Sequence, residues 1–267
     1  MANAIPSPSE GYDGIDEIIA APGFRLTTSL RWSPPRVPSR KQTHTTLVAY
    51  HRKRLLESAQ AFNLDTITKL FADESGESVL KKAIDAHSMT LIGPEQTYKF
   101  TLSVSISGSI SITSAPAPGP LYDFSLPAAI SNAGANVLPD LCLAPSPTTS
   151  SLFTRHKSNH RPMYETARAA TNILHEAPTT TEVLLHNEQR QITEASLSTV
   201  YFQRRDGWVT PAASCGGNLG VTRALALDEG WCREDIVLLE DLIPSEIVIL
   251  SNGVRGFWPA QLILPTI

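Results

Sequence analysis

The stretch Cys215-Gly216-Gly217-Asn218-Leu219-Gly220-Val221-Thr222-Arg223 decides how the second half of this chain is read. Its three glycines let backbone amides come close to a ligand, and a helix starting at Val221 would aim its positive end at an anion. A phosphate suits such a place, but an ordinary loop leading into a helix cap has the same composition. The stretch lacks the lysine of G-x-x-x-x-G-K-[ST] and the spacing of G-x-G-x-x-G, which excludes a P-loop and a dinucleotide-binding turn. Its meaning depends on residues elsewhere in the chain.

Around it, short apolar runs at Val183–Leu185, Ile192–Ala195, Val200–Phe202 and Trp208–Thr210 read as strands, with turns at Asn187-Glu188 and Asp206-Gly207. Val221–Glu229 and Pro162–Ala170 suit helices; Ile236–Leu239 and Ile247–Leu250 suit strands. Nearer the N-terminus, Phe24–Trp32 reads as a strand. Val48, Leu55, Ala59 and Phe62 recur at helical spacing across Leu47–Phe62. Short helices are expected at Thr66–Phe71 and Ser78–Ala86. Tyr98–Ser105 alternates, with Phe100, Leu102 and Val104 on one face, and Ser107-Gly108-Ser109 turns it into Ile110–Thr113.

Residues 115–151 are punctuated by Pro116, Pro118, Pro120, Pro127, Pro139, Pro145 and Pro147, and read as a linker or insertion with one short strand at Leu141–Leu143. The expected organisation is a two-domain α+β protein. A flexible arm (1–21) precedes a small α/β domain (22–114), and a larger domain (152–267) follows the linker.

Composition sets the outer limits. Across 267 residues, 42% are hydrophobic and 18% charged, enough apolar side chain for a folded core. Twenty-two Lys and Arg against 26 Asp and Glu give a net charge of −4, so no basic field exists to hold a nucleic acid. No apolar run is long enough for a membrane-spanning helix. Met1–Gly14 has no apolar core of a signal peptide, and Cys142, Cys215 and Cys232 form no C-x-x-C pair. A cytoplasmic chain with neither disulfides nor structural zinc is expected. The histidines show no H-x-x-x-H spacing, and no metal is expected.

Lysine usage is the most informative irregularity. Of seven lysines only Lys157 lies beyond Lys99, whereas arginine fills the other basic positions of the second half. Lysine alone can form a Schiff base and lower its pKa to act as a base. Glu194 sits in a strand-like run of small residues, Thr193-Glu194-Ala195-Ser196, where a carboxylate either meets water or holds one partner. His51 and Arg54 lie one turn apart on the first long helix and share a face.

Taken together these motifs resemble the class IV (fold type IV) pyridoxal-phosphate enzymes, most closely the fungal 4-amino-4-deoxychorismate lyase-like members. The resemblance rests on His51-x-x-Arg54-Leu55, on His156-Lys157 followed by Arg161 and Tyr164, and on Glu182-Val183-Leu184-Leu185-x-Asn187. Thr193-Glu194-Ala195-Ser196, Trp208-Val209-Thr210-Pro211, Gly220-Val221-Thr222-Arg223 and Ser251-Asn252-Gly253-Val254-Arg255-Gly256 follow in family order. It covers roughly residues 22–105 and 150–260.

The resemblance implies a two-domain fold like that of D-amino acid aminotransferase, pyridoxal 5'-phosphate as cofactor, and a homodimer. Lys157 matches the lysine that holds the cofactor and moves the proton, and Glu194 the carboxylate on the pyridine nitrogen. Arg54, the amides of Val221 and Thr222, the Thr222 hydroxyl and Asn252 match the phosphate cradle. Tyr164 matches a tyrosine near the phenolic oxygen. Arg31, Arg161 and Arg255 are candidates for substrate carboxylates, surface salt links being the alternative for each.

Ser29-Leu30-Arg31 replaces the family's usual Thr-Met-Arg, Thr199 replaces an asparagine, and Ser158-Asn159 replaces paired threonines. The implied activity is conversion of 4-amino-4-deoxychorismate to 4-aminobenzoate and pyruvate. A class IV aminotransferase of branched-chain or D-amino acid type, or a noncatalytic relative, is the alternative.

Overall fold

The computed structural model describes residues 14–34, 44–91, 96–131, 137–176 and 179–265. The polar loop expected before the first long helix, and most of the N-terminal arm, lie outside them. Helix α1 (Ile15–Ala20) leads into strand β1 (Arg25–Trp32), followed by α2 (His44–Ala61), α3 (Asp65–Phe71) and α4 (Ser75–Ser88). Strands β2 (Tyr98–Ser105) and β3 (Ile110–Pro116) complete a three-stranded antiparallel sheet in the order β1-β2-β3. Alternation works as the sequence suggests: Phe100, Leu102 and Val104 are buried, and across the ladder Leu30 faces Phe100. That apolar face meets Val48, Leu55 and Ala59 of α2, Ile67 and Phe71 of α3, and Leu80 and Ile84 of α4.

Residues 15–20, read from sequence as part of an arm, form a helix whose Ile15, Ile18 and Ile19 pack on this core. Three isoleucines in a short window can cover apolar surface that a polar arm could not.

The second half builds an eight-stranded mixed sheet. Helix α5 (Leu126–Ser131) and strand β4 (Asp140–Leu143) come first, then α6 (Leu152–Arg155), α7 (Pro162–Ala170), β5 (Thr181–His186) and β6 (Ile192–Ala195). Strands β7 (Thr199–Arg204) and β8 (Gly207–Pro211), α8 (Val221–Asp228), β9 (Arg233–Asp235), β10 (Ile247–Asn252) and β11 (Gly256–Ile263) follow. The strand order is β6-β5-β4-β11-β10-β7-β8-β9. The proline-rich stretch thus contributes an internal strand, because Leu141 is fully buried between Leu262 and Glu182 in parallel ladders.

Two strand expectations need correction. Ile236–Leu239 is not a strand: Arg233–Asp235 pairs instead, and Leu239–Asp241 closes a 3-10 turn. Strand β11 had no counterpart in the sequence reading because Pro259 sits in it, and proline is unusual in a central strand. The fold accommodates it by register. The amides of Phe257 and Gln261 point away from β10, to the carbonyls of Asp123 and Pro139. Pro259 falls between them on the same side, before pairing with β4 begins at Gln261.

The two sheets meet along β1. Thr27 N–H donates to the Lys157 carbonyl at 3.0 Å, Asn159 N–H to Arg25 at 3.1 Å, and Arg31 N–H to Gly253 at 3.0 Å. Among the described residues no helix is long and apolar enough to cross a membrane.

Candidate active site

A cleft between the sheets gathers Arg54, Lys157, Arg161, Tyr164, Glu194, Val221, Thr222, Asn252 and Arg255 around one cavity. Lys157 reaches it from an extended segment. Ser151 caps the start of helix α6, accepting from the amides of Phe153 and Thr154 while the Thr154 hydroxyl closes the box. The chain then turns extended at His156 and is clamped to β1 by the bonds above. Desolvation holds the Lys157 amine well below the ordinary lysine range; Arg161, Arg54 and Lys99 push it the same way, and Glu194 opposes. A lysine kept neutral among cations is a nucleophile and a base.

Glu194 stands on β6 opposite Leu185. Its Oε1 accepts from the Tyr164 hydroxyl at 2.7 Å and from the Asn218 amide at 3.0 Å, whereas Oε2 takes no bond among the described residues. Burial pushes the carboxyl up to about 7, while Tyr164, Asn218, Arg161 and Lys157 pull it down. Tyr164 is expected near a phenolic oxygen, yet its hydroxyl is given to Glu194. Burial and that carboxylate hold its own ionisation well above the usual tyrosine value, so it stays a donor.

At the other end, α8 begins at Gly220, which has no side chain to cap it. The first amide bonded within the helix is that of Ala224, to Gly220. The amides of Val221 and Thr222 open into the cavity without a protein acceptor among the described residues. Arg54 sits beside them and donates to the Asn218 side-chain oxygen. Burial lowers its pKa to about 10, opposed by Glu194 and Tyr164, and it stays charged at neutral pH. Gly253 closes this corner: a Cβ there would meet the Ser29 carbonyl oxygen at 2.7 Å and Val221 Cγ2 at 3.1 Å.

Three residues noted in the sequence have partners of their own. Arg31 does not line the cavity; its guanidinium donates to the Tyr122 carbonyl at 2.9 Å and lies 4.3 Å over the Phe124 ring, which removes it from the carboxylate candidates. Asn252 lines the cavity, but its Oδ1 accepts from the amides of Val254 and Arg255 at 3.0 and 2.8 Å. It shapes a turn through Oδ1, and its Nδ2 lies 3.4 Å from the Leu197 carbonyl. His51 shares its face with Arg54 yet is buried behind it, pushed to about 3 by burial, Arg54 and Lys157, with Nδ1 on the Thr28 hydroxyl.

Arg161 donates to the Ser196 carbonyl at 2.9 Å and lies over the Tyr164 ring, and Arg255 lies 4.1 Å over Trp258. Both still border the cavity.

Sequence reasoning missed Lys99 and Asn218. Lys99 borders the cavity from the face of β2 opposite Phe100, a side that the alternation itself marked. Asn218 joins the two ends, with its amide on Glu194, its side-chain oxygen on Arg54 and its Nδ2 3.3 Å from the Thr154 carbonyl. It looked like loop filler between glycines.

The family model for class IV aminotransferases matches residues 28–263. The chain belongs to that family. It is also 34% identical over 86 residues to a Schizosaccharomyces pombe protein provisionally named an aminodeoxychorismate lyase; the match spans 31% of this chain and 37% of that protein. The solved structure of an amino-acid aminotransferase, provisionally so named, from Mesorhizobium loti superposes with a TM-score of 0.64 at 26% identity, covering 90% of this chain and 100% of the other. The 4-amino-4-deoxychorismate lyase of Pseudomonas aeruginosa superposes at 0.57 with 18% identity, over 90% and 83% of the two chains.

Class IV enzymes use pyridoxal phosphate, and the donor set here fits that cofactor. A neutral amine, a buried carboxylate with a spare oxygen, an arginine and an uncapped helix start surround one space.

Proposed function

We propose that this class IV enzyme is a lyase that converts 4-amino-4-deoxychorismate to 4-aminobenzoate and pyruvate. One observation carries the reading: Arg54, Lys99, Lys157, Arg161 and Arg255 border the cavity, against Glu194 as its single carboxylate among the described residues. With Arg54 assigned to the cofactor phosphate and Lys157 to its carbonyl carbon, Lys99, Arg161 and Arg255 remain. Three further cations on its border suit a substrate with two carboxylates. A branched aliphatic amino acid would want a continuous apolar wall, whereas Ser29, Ser196, Ser198 and Thr199 border this cavity beside Leu197, Val221 and Val254.

Pyridoxal phosphate, when bound, supplies an electron sink. Lys157, its protonated form disfavoured by burial and by neighbouring cations, takes the proton from the substrate ring carbon bearing nitrogen. Glu194 would hold the pyridine nitrogen with Oε2, and Tyr164 and Asn218 fix its orientation through Oε1. Lys99, Arg161 and Arg255 hold the carboxylates so that the enolpyruvyl ether leaves from the neighbouring carbon. Its departure as pyruvate makes the ring aromatic, and no keto acid is consumed.

The deciding experiment is product analysis with 4-amino-4-deoxychorismate alone. Stoichiometric 4-aminobenzoate and pyruvate are expected. Turnover that needs 2-oxoglutarate or pyruvate as amino acceptor, with no 4-aminobenzoate, would assign an aminotransferase instead. A homodimer belongs to the same proposal, and sedimentation of the purified protein tests it.

A further inference from the structure

Three hydroxyls lie in a row beneath the start of α8. Tyr201 on β7 and Ser251 on β10 face each other at 2.9 Å, and Ser251 Oγ donates to Thr222 Oγ1 at 2.8 Å. Tyr201, Ser251 and Thr222 are respectively 0%, 1% and 1% exposed, so water cannot complete their bonding. We propose that Tyr201 and Ser251 are positioning residues that turn the Thr222 hydroxyl into an obligatory donor toward the cofactor phosphate.

The argument is one of satisfiability. A phenol has one proton, and burial raises the ionisation of Tyr201 far above its usual value, so that proton is always present. Its ring packs on Phe257, and among the described residues its oxygen bonds to Ser251 and, more loosely, to Thr222. If the chain ran from Thr222 to Ser251 to Tyr201, the phenolic proton would have only the looser contact with Thr222 to accept it, and the Ser251–Thr222 pair has Ser251 as its donor. The opposite direction leaves no orphan: Tyr201 donates to Ser251, and Ser251 donates to Thr222.

Thr222 Oγ1 then accepts inside the protein and has its own proton to give. An empty site can return that proton to the phenolic oxygen and close a ring. A phosphate dianion is the stronger acceptor and takes it outward, into the cavity that Thr222 borders. Register explains why these residues meet. Ser251 pairs with Thr199 across the β10–β7 ladder, and Tyr201 lies two residues farther along β7 on the same face.

The inference rests on reading this corner as the phosphate cradle, so the experiment separates the two. Cofactor-free protein is titrated with pyridoxal phosphate and with pyridoxal, which lacks the phosphate, and the ratio of the two affinities is followed. Parent protein that binds both alike would refute the cradle itself. Given a parent preference, Tyr201→Phe should shrink the ratio by roughly three- to tenfold, the range of one hydrogen bond. Pyridoxal affinity should stay unchanged, whereas general loosening would weaken both ligands. Ser251→Ala should do the same, and the double variant should lose no more than Ser251→Ala alone, because the bonds lie in series. A ratio unchanged in Tyr201→Phe would overturn the proposal. Should that variant not fold, an unchanged ratio in Ser251→Ala would do so equally.

Discussion

The two ends of the cavity solve the same problem in opposite ways. At the Glu194 end, a full charge is buried: a carboxyl raised to about 7 is held on one oxygen by Tyr164 and Asn218. At the α8 end, the protein supplies uncapped amides and a row of neutral hydroxyls, and only Arg54 carries charge. The first arrangement is titratable near neutral pH; the second stays in one protonation state. A ring nitrogen must be tuned by charge, whereas a phosphate already carries its own and needs donors. Asn218 ties the two together, so each can be broken while the other reports.

Lys157 lies between them, and its loss should erase the comparison altogether. Lys157→Ala is expected to abolish borohydride-fixed cofactor and to lower turnover by about 10⁴-fold or more, the upper range of acid–base catalysis. Peptide mapping that finds the label intact on Lys99 or another lysine would show that the wrong amine has been chosen. Next in size is the Glu194 end. Glu194→Gln keeps the shape and removes the charge, and turnover should fall by roughly 10²–10³-fold, as when one electrostatic stabiliser of a transition state is deleted. Pyridoxal-phosphate affinity should change much less. Equal loss in both would mean that Glu194 only holds the fold.

How much of this was legible in the sequence differs between the ends. Lys157, Glu194 and the Gly220-Val221-Thr222 start stood out because the chemistry needs those residue types and local spacing displays them. Asn218 and Lys99 did not, since their partners lie far away in the chain: Arg54 is 164 residues from Asn218. Roles were harder to read than membership. Asn252 borders the cavity, but its bonds to Val254 and Arg255 are a local turn that no motif announces. Strand β11 escaped because the exemption for Pro259 depends on which side its missing N–H faces, and only the assembled sheet fixes that.

At the α8 end, Arg54→Ala should weaken pyridoxal-phosphate affinity by about 1.5–3 kcal/mol, the range for a hydrogen bond to a charged group. Turnover at saturating cofactor should fall far less than in Glu194→Gln. Unchanged affinity in a titration of the cofactor-free protein would remove Arg54 from the cradle and leave the helix start to hold the phosphate unaided.

The smallest effect is on stability, and it tests the claim that only one end titrates. Glu194 ionises near 7 in the folded chain and near 4.5 when unfolded, because burial disfavours its anion. Between those values the folded state binds more protons than the unfolded state, so the contribution of Glu194 to stability falls as pH rises and levels off above 7. His51, pushed to about 3, and His156, pushed to about 4, both by burial first, slope the other way: unfolded imidazole takes up protons below 6.5, and stability is lost as pH falls. Comparison with Glu194→Gln cancels the histidines. The variant should gain on the parent by about 2–2.5 kcal/mol between pH 5 and pH 7.5 in denaturant unfolding of the cofactor-free protein. A constant difference between Glu194→Gln and parent across the window would mean that Glu194 keeps an ordinary carboxylate pKa, and the contrast between the two ends would then be one of geometry alone.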